Sequence, residues 1–371
     1  MTRYIDPRSG ASFPIDVPRW CGDAGQPLLL SPLPGIGRNE IDGSTRSLWR
    51  YRAALPFQAE PITMGEGCTP LLERRMHGGT VHLKCEWFMP TGSFKDRGAS
   101  VMLSLLRAQG ITEVLEDSSG NGGAAVAAYA AAGGMKAVIM APKSTSPAKT
   151  VQMRAHGATV ELVPGTRQQT AEAAEKRAGS IFYASHNWHP FFLQGTKTLA
   201  YELWEDLGFR APDNIVIPCG AGSNVLGCQI GFAELWHAGA IDHVPRLWAA
   251  QPGHCGPIVA AASGIAPLPI RPTLAEGTAI AAPIRLPEVV AALNDSGGGG
   301  VLLTENEIET EVIHLARQGI YVEPTCAQAV AAIGKLLARG AIKPEETTVV
   351  VLTGTGLKAT PRMAELLGIV L

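Results

Sequence analysis

Pro90-Thr91-Gly92-Ser93-Phe94-Lys95-Asp96-Arg97-Gly98-Ala99 is the stretch on which the reading of this chain turns. It sets a lysine between a serine, an acid and a guanidinium, boxed by glycines, where an apolar segment gives way to a predicted helix. A lysine does chemistry as the free amine, and neighbouring positive charge with partial burial lowers its pKa toward that form. Such an amine can form a Schiff base with a carbonyl cofactor. The bland alternative is a capped helix start, with Ser93 as the cap and Lys95 and Arg97 solvated. This window alone leaves both readings open.

Outward from it, short apolar runs alternate with helical segments. Strands are predicted at 81–83, 113–115, 136–140, 159–163, 214–217 and 347–352, and helices at 99–108, 124–132, 148–156 and 168–176. Alternating strands and helices with short connections imply an α/β fold, its parallel sheets covered on both faces. On such sheets ligands bind at the carboxyl ends of the strands, where glycine-rich turns lie. Residues 1–60, rich in Pro and Gly, read as an extended arm with one helical stretch near 47–55. The run 297–300, four glycines after Asn294-Asp295-Ser296, reads as a flexible loop.

Bulk properties narrow the partner. The 371 residues suffice for two domains. With 46% hydrophobic and 17% charged residues and a net charge of −2, the chain is expected to be globular and to bind neither nucleic acid nor a membrane surface. A small molecule is the expected partner. The seven cysteines, at 21, 68, 85, 219, 228, 255 and 326, form no Cys-x-x-Cys pair, and no metal site is expected. Isolated thiols suit a reducing compartment. The amino terminus lacks the apolar core of a secretory signal, and no run approaches the ~18 apolar residues of a membrane span. The expected location is cytoplasmic.

Three turns carry the remaining signal. Ser118-Ser119-Gly120-Asn121-Gly122-Gly123 precedes an alanine-rich helix and offers backbone N–H groups sized for a carboxylate, or is an ordinary turn. Pro218-Cys219-Gly220-Ala221-Gly222-Ser223-Asn224 follows a strand and resembles a phosphate cradle. It lacks the Gly-Lys-Ser/Thr ending of a nucleotide loop and, with Val225 in place of the third glycine, the dinucleotide fingerprint. Leu352-Thr353-Gly354 places a hydroxyl at a strand end, either a turn-former or a neutral partner for a ring nitrogen. Together, a lysine, a carboxylate loop, a monophosphate cradle and a neutral hydroxyl match the functional groups of pyridoxal 5′-phosphate and an amino acid. A nucleotide-dependent enzyme would leave the lysine motif unexplained.

The lysine stretch resembles the Schiff-base motif of the fold type II pyridoxal-phosphate enzymes, threonine synthases above all. Gly65-Glu66-Gly67-Cys68-Thr69-Pro70-Leu71, Ser119-Gly120-Asn121, Glu276-Gly277-Thr278-Ala279-Ile280, Leu352-Thr353-Gly354 and the approach Leu48-Trp49-Arg50-Tyr51 are similar too. The resemblance implies a lyase with two domains, each with a mainly parallel sheet flanked by helices. Its expected layout is an arm over 1–60, a large cofactor-binding domain from 61–85 and 188–371, and a small domain over 86–187. It implies that Lys95 holds the cofactor and moves the α-proton, and that Asn121 meets the phenolic oxygen. Gly220, Ala221, Gly222, Ser223 and Asn224 would hold the phosphate, Thr353 the pyridine nitrogen, and Ser118, Ser119 and Gly120 the substrate carboxylate. A neutral hydroxyl at the ring nitrogen favours elimination or replacement at Cβ or Cγ over transamination. The family also suggests a homodimer.

Departures from the pattern bear on the substrate. Met89 stands where the family has asparagine, Gly122 where it has threonine, and His189 where asparagine precedes Pro190. Phe192 takes the place of an arginine for the substrate phosphate. A phenyl ring cannot make that bidentate contact, whose loss is worth roughly 2–5 kcal/mol. Gly122, His186 and Phe192 are therefore candidate substrate contacts, and the substrate is either O-phosphohomoserine, converted to threonine, or another small amino acid undergoing ammonia-forming elimination or β-replacement. A non-catalytic regulator that binds the cofactor is the rival from another class.

Overall fold

Each strand predicted in the glycine-punctuated core is present in the computed structural model: 81–83, 113–115, 136–140 and 214–217 are extended by one or two residues, 159–163 is unchanged, and 347–352 starts one residue later. The structure describes residues 2–145 and 147–370, with no side-chain description at 147–149. Contacts divide the chain into two units, Met1–Gly67 with Lys95–Thr198 and Cys68–Phe94 with Leu199–Leu371.

The first unit is built on a four-stranded, wholly parallel sheet. Its order is Thr159–Val163, Lys136–Pro142, Glu113–Glu116, Phe182–Tyr183. The sequence dictates how closely helix Asn121–Ala132 approaches this sheet. Residues 122–130 are all buried, and all but Val126 and Tyr129 are Ala or Gly. A Cβ on Gly123 would lie 2.1 Å from the Ser118 carbonyl oxygen, so only glycine fits there. Helix Lys95–Ala108 meets helix Pro190–Thr196 in the same way, a Cβ on Gly195 falling 2.1 Å from the Arg97 carbonyl oxygen.

The amino-terminal residues expected as an arm contain three strands that the sequence did not suggest. Ser12–Pro14, Arg3–Ile5 and Leu29–Leu30 form a small antiparallel sheet. Strands of two or three residues are too short for an alternating pattern to show. The helical stretch expected near 47–55 is the 3-10 helix Leu48–Ala54. Beside it the buried Glu66 carboxylate accepts from Trp49 Nε1 (3.1 Å), Ser100 Oγ (2.6 Å) and Tyr129 OH (2.9 Å), which ties the arm to two helices.

The second unit has a six-stranded sheet in the order Gly299–Leu303, Arg246–Pro252, Asn214–Pro218, Thr348–Leu352, Gly79–Cys85, Leu71–Met76. All pairings are parallel except the last, a hairpin closed by His77 and Gly78 at φ 49° and 86°. Two successive left-handed residues match the right-handed twist of a two-residue hairpin. The flexible loop expected at 297–300 is corrected here. Gly299 and Gly300 belong to a strand and pair with Trp248 and Ala249. A Cβ on Gly298 would meet the Leu247 carbonyl oxygen at 1.9 Å, and one on Gly300 would meet Val259 at 2.6 Å. Close approach, not mobility, selects these glycines.

Candidate active site

Lys95 is the first residue of helix Lys95–Ala108, and it is the point at which the chain enters the first unit. Its Nζ stands 5.5 Å from the centre of the Phe192 ring. Phe192 is completely buried, and a Cβ on Gly98 would lie 2.3–2.5 Å from its ring atoms. Glycine at 98 therefore lets the ring press on the backbone of the lysine helix one turn after Lys95.

The turn 118–123 follows strand Glu113–Glu116 and opens helix Asn121–Ala132. Gly120 caps that helix with no side-chain cap bond, and a helix start is where backbone N–H groups favour an anion. Ser118 is buried, Ser119 and Asn121 are partly buried and Gly120 is exposed. A Cβ on Gly122 would sit 2.8 Å from His186 Cε1 and Nδ1 and 3.0 Å from Ser118 Oγ. The imidazole thus occupies the space that any larger residue at 122 would need.

His186 is gripped by a residue that the sequence reading did not single out. Glu116 Oε1 accepts from His186 Nδ1 (2.9 Å) and from the Asp117 N–H (3.0 Å), and Oε2 accepts from the His186 backbone N–H (2.9 Å). Burial pushes the Glu116 carboxyl up to about 7. Burial, and then the positive charge of Lys95, hold the imidazole well below its usual 6.5. Asp117 next to it is paired with Arg167 (2.7 Å) and accepts from Tyr183 OH (2.8 Å) and Ser185 Oγ (3.2 Å). The available signal was the pair of acids ending an apolar strand immediately before a serine-glycine turn. His189 caps helix Pro190–Thr196, its Nδ1 accepting from the Phe191 N–H at 3.1 Å.

The second unit carries the other group of predicted residues. Strand Asn214–Pro218 runs into Cys219, whose carbonyl accepts from Gln251 Nε2 at 2.9 Å, and then into Gly220, Ala221 and Gly222. Gly222 is left-handed (φ 90°), and a Cβ there would meet Val289 at 2.3 Å. A Cβ on Gly220 would lie 3.1 Å from Thr278 Cα, so the 276–280 motif packs directly against this turn. Helix Ser223–His237 then begins with no side-chain cap bond. Asn224 is 3% exposed, and neither its Oδ1 nor its Nδ2 has a hydrogen-bond partner among the described residues. Two orphaned polar atoms at an open helix start are costly unless a ligand satisfies them. A phosphate oxygen can accept from the Nδ2, while the Oδ1 needs a separate donor.

Thr353 follows strand Thr348–Leu352 and is buried. Its carbonyl accepts from the Phe94 N–H (2.9 Å). Its hydroxyl lies 3.5 Å from Cys326 Sγ, which also accepts from the Gly354 N–H at 3.2 Å. Burial raises the Cys326 thiol to about 12, so it stays protonated and neutral beside Thr353. The Ser93 Oγ is buried without a hydrogen-bond partner among the described residues, and Ser93 bridges to Gly354. It is therefore not a satisfied cap, contrary to the bland reading of the lysine stretch.

Lys95, Ser118, Ser119, Gly120, Asn121, Gly122, His186 and Phe192 thus belong to the first unit, and Gly220, Ala221, Gly222, Ser223, Asn224 and Thr353 to the second. Among the described residues no cluster of three His, Cys, Asp or Glu could hold a metal ion. None of the described helices is long and apolar enough to cross a membrane.

Residues 62–354 match the family described as pyridoxal-phosphate dependent enzyme. Similar curated proteins include the threonine synthase of Methanosarcina acetivorans, 34% identical over 335 residues that cover 87% of this chain and 83% of the relative. The threonine synthase of Methanocaldococcus jannaschii is 33% identical over 325 residues, covering 84% and 80%. Among solved structures, the processed threonine deaminase isoform 2 of Solanum lycopersicum aligns with a TM-score of 0.68 at 21% identity, over 91% of this chain and 96% of that one. Maize serine racemase aligns with a TM-score of 0.67 at 22% identity, over 81% and 92%. At such identities the structural matches speak to the fold alone.

Proposed function

The chain belongs to the pyridoxal-phosphate dependent enzyme family, and from that premise we propose that it is a threonine synthase-like lyase, acting by elimination or replacement at Cβ or Cγ of a small amino acid. Its fold is that of the fold type II enzymes and its cofactor is pyridoxal 5′-phosphate. When bound, that cofactor supplies an aldehyde for amine condensation and a ring that draws electrons from Cα.

The remaining work falls to the chain. Lys95 would bind the cofactor through its amine and take and return the α-proton. The N–H groups and the Asn224 amide of the 220–224 turn would hold the phosphate, which the orphaned Asn224 Nδ2 donor supports. Asn121 would meet the phenolic oxygen. Thr353, with the neutral Cys326 thiol beside its hydroxyl, would offer the ring nitrogen a neutral partner and so leave transamination disfavoured. The open helix start at 118–121 would hold the substrate carboxylate.

One observation carries the choice of substrate within this class. The surroundings of Lys95 in the first unit hold a fully buried phenyl ring and an uncharged imidazole, where the resemblance asks for an arginine. Neither can neutralise a phosphate, so the favoured substrate carries an unphosphorylated leaving group. The second reading, conversion of O-phosphohomoserine to threonine, has in its favour the 33–34% identity to proteins named threonine synthase. Turnover of the holoenzyme on serine, threonine, diaminopropionate and O-phosphohomoserine separates the two. Ordinary turnover on the phosphorylated substrate alone would sink the favoured reading. Bound cofactor with no turnover across the panel would favour a regulator.

The proposal includes a cytoplasmic location, a homodimer, and the domain assignment of 1–60, 61–85 with 188–371, and 86–187, whose edges differ from the contact units at 61–67, 86–94 and 188–198. Seven free cysteines agree with a reducing compartment. Sedimentation of the purified protein tests the dimer.

A further inference from the structure

We propose that His186 and Glu116 form a one-proton acid–base pair, in which His186 Nε2 protonates a hydroxyl or amine leaving group and Glu116 positions the ring and holds the proton. This rests on the reading of the chain as an elimination or replacement enzyme.

The geometry is that of a built pair. Glu116, with no exposed surface, spends both carboxylate oxygens on three donors, two of them from His186 itself. The backbone bond and the ring bond fix the imidazole at both ends, so its Nδ1 faces Glu116 and its Nε2 faces away. No hydrogen bond to Nε2 is present among the described residues. The ring stands at the turn expected to hold the substrate carboxylate, against Gly122 and Ser118, with the Phe192 ring centre 5.7 Å away. One departure from the family pattern, Gly122, is therefore matched to the imidazole. Glycine at 122 makes room for the imidazole, and the imidazole fills the room.

The charged and titratable groups acting on the pair are few. Lys95 comes from helix Lys95–Ala108, Arg167 from helix Arg167–Arg177, and Asp117 from the strand end, itself engaged by Arg167, Tyr183 and Ser185. With Glu116 ionised, Nδ1 carries the proton and Nε2 is a base. One added proton lets the carboxyl donate to Nδ1, and Nε2 becomes a donor while the pair is neutral. Burial disfavours a lone charge on either partner, and a Glu116 value of about 7 puts this exchange in the working range.

The balance is simple. As the bond from carbon to the leaving oxygen or nitrogen breaks, its electron pair goes to that atom and the Nε2 proton joins it, so water or ammonia departs. In a replacement, an incoming water or amine bonds to carbon through its lone pair and returns a proton to Nε2. Chloride and phosphate leave as stable anions and need no such proton.

The leaving group is therefore the test. Holoenzyme and the variants His186→Gln, Glu116→Gln and Glu116→Asp are assayed on serine, diaminopropionate and β-chloroalanine across pH, and His186 is followed by nitrogen NMR in 15N-histidine-labelled holoenzyme. A positioned general acid is worth about 10²-fold or more. His186→Gln should lose that in kcat on serine or diaminopropionate, with KM little changed and β-chloroalanine elimination retained. Glu116→Gln should abolish the pH inflection near 7 and the matching NMR transition, and Glu116→Asp should restore part of both. Equal losses on all three substrates, or wild-type turnover confined to a phosphorylated substrate, would overturn the inference. If the wild type turns over none of them, the proposed function fails while the NMR still decides the pair. A shared one-proton transition that Glu116→Gln removes would sustain it, and a His186 signal unmoved between about pH 5 and 9 would overturn it.

Discussion

Replacing Glu116 with glutamine should expose a pH dependence of folding that the wild type conceals. Burial raises Glu116 from 4.5 to about 7, so on its own it contributes stability at low pH that fades as pH rises from 4.5 through 7. Burial depresses His186 below 6.5, so on its own it contributes stability at high pH that fades as pH falls through 6.5. Between 4.5 and 6.5 the unfolded chain holds one proton on this pair, on His186, and the folded chain holds one, on Glu116. Equal proton counts mean no slope from the pair. In Glu116→Gln the unfolded histidine keeps its proton and the folded pair has none. One excess proton in the unfolded state corresponds to a slope of about 1.4 kcal/mol per pH unit. Relative to wild type, the variant should gain about 2 kcal/mol between about pH 5 and pH 6.5 and change little above 7. The amide also mismatches one of the three donors, a constant loss of about 1 kcal/mol that leaves the slope untouched. Parallel urea unfolding of the two proteins, read by tryptophan fluorescence across that range, measures the difference. A gap that stays constant with pH would refute the shared-proton argument.

Gly98→Ala would push a methyl into the Phe192 ring and should cost about 1–3 kcal/mol in urea unfolding, with part of the loss recovered in Gly98→Ala/Phe192→Leu. Simple additivity would contradict the close contact. Asn224→Ala removes two orphaned buried atoms, so it should leave the apo-protein as stable or more so. It should still weaken cofactor binding by about 1–3 kcal/mol, roughly 5- to 150-fold, in an equilibrium titration. Lys84, wholly buried between Glu202 (2.6 Å) and Asp206 (2.7 Å), anchors the hairpin edge of the second unit. Lys84→Met removes the ammonium partner of the buried Glu202 carboxylate, leaving it the Cys68 and Thr69 donors, and should lower stability by about 3–5 kcal/mol; an unchanged urea midpoint would show the pair to be dispensable.

The legible parts of the sequence were those where local pattern and tertiary demand agree. Runs such as 214–217 and 348–352 are apolar and β-branched because they lie in the middle of a parallel sheet, buried on both faces. Lys95 stood out because its neighbours are unusual side by side. What stayed hidden depends on partners distant in sequence. Glu116 looks like the end of a strand until His186, seventy positions on, closes on it. Cys326 reads as one isolated thiol until the fold sets it beside Thr353. The glycines at 299 and 300 suggest a loop because their reason, the closeness of Val259 and of the neighbouring strand, is visible only in three dimensions.

The most direct test of the account is the visible absorption spectrum of the purified holoenzyme, titrated with serine, threonine, diaminopropionate and O-phosphohomoserine. The account calls for a band from lysine-bound pyridoxal phosphate that Lys95→Ala abolishes or moves, and that an unphosphorylated amino acid shifts. A band indifferent to Lys95→Ala, or one that answers only to O-phosphohomoserine, would contradict it.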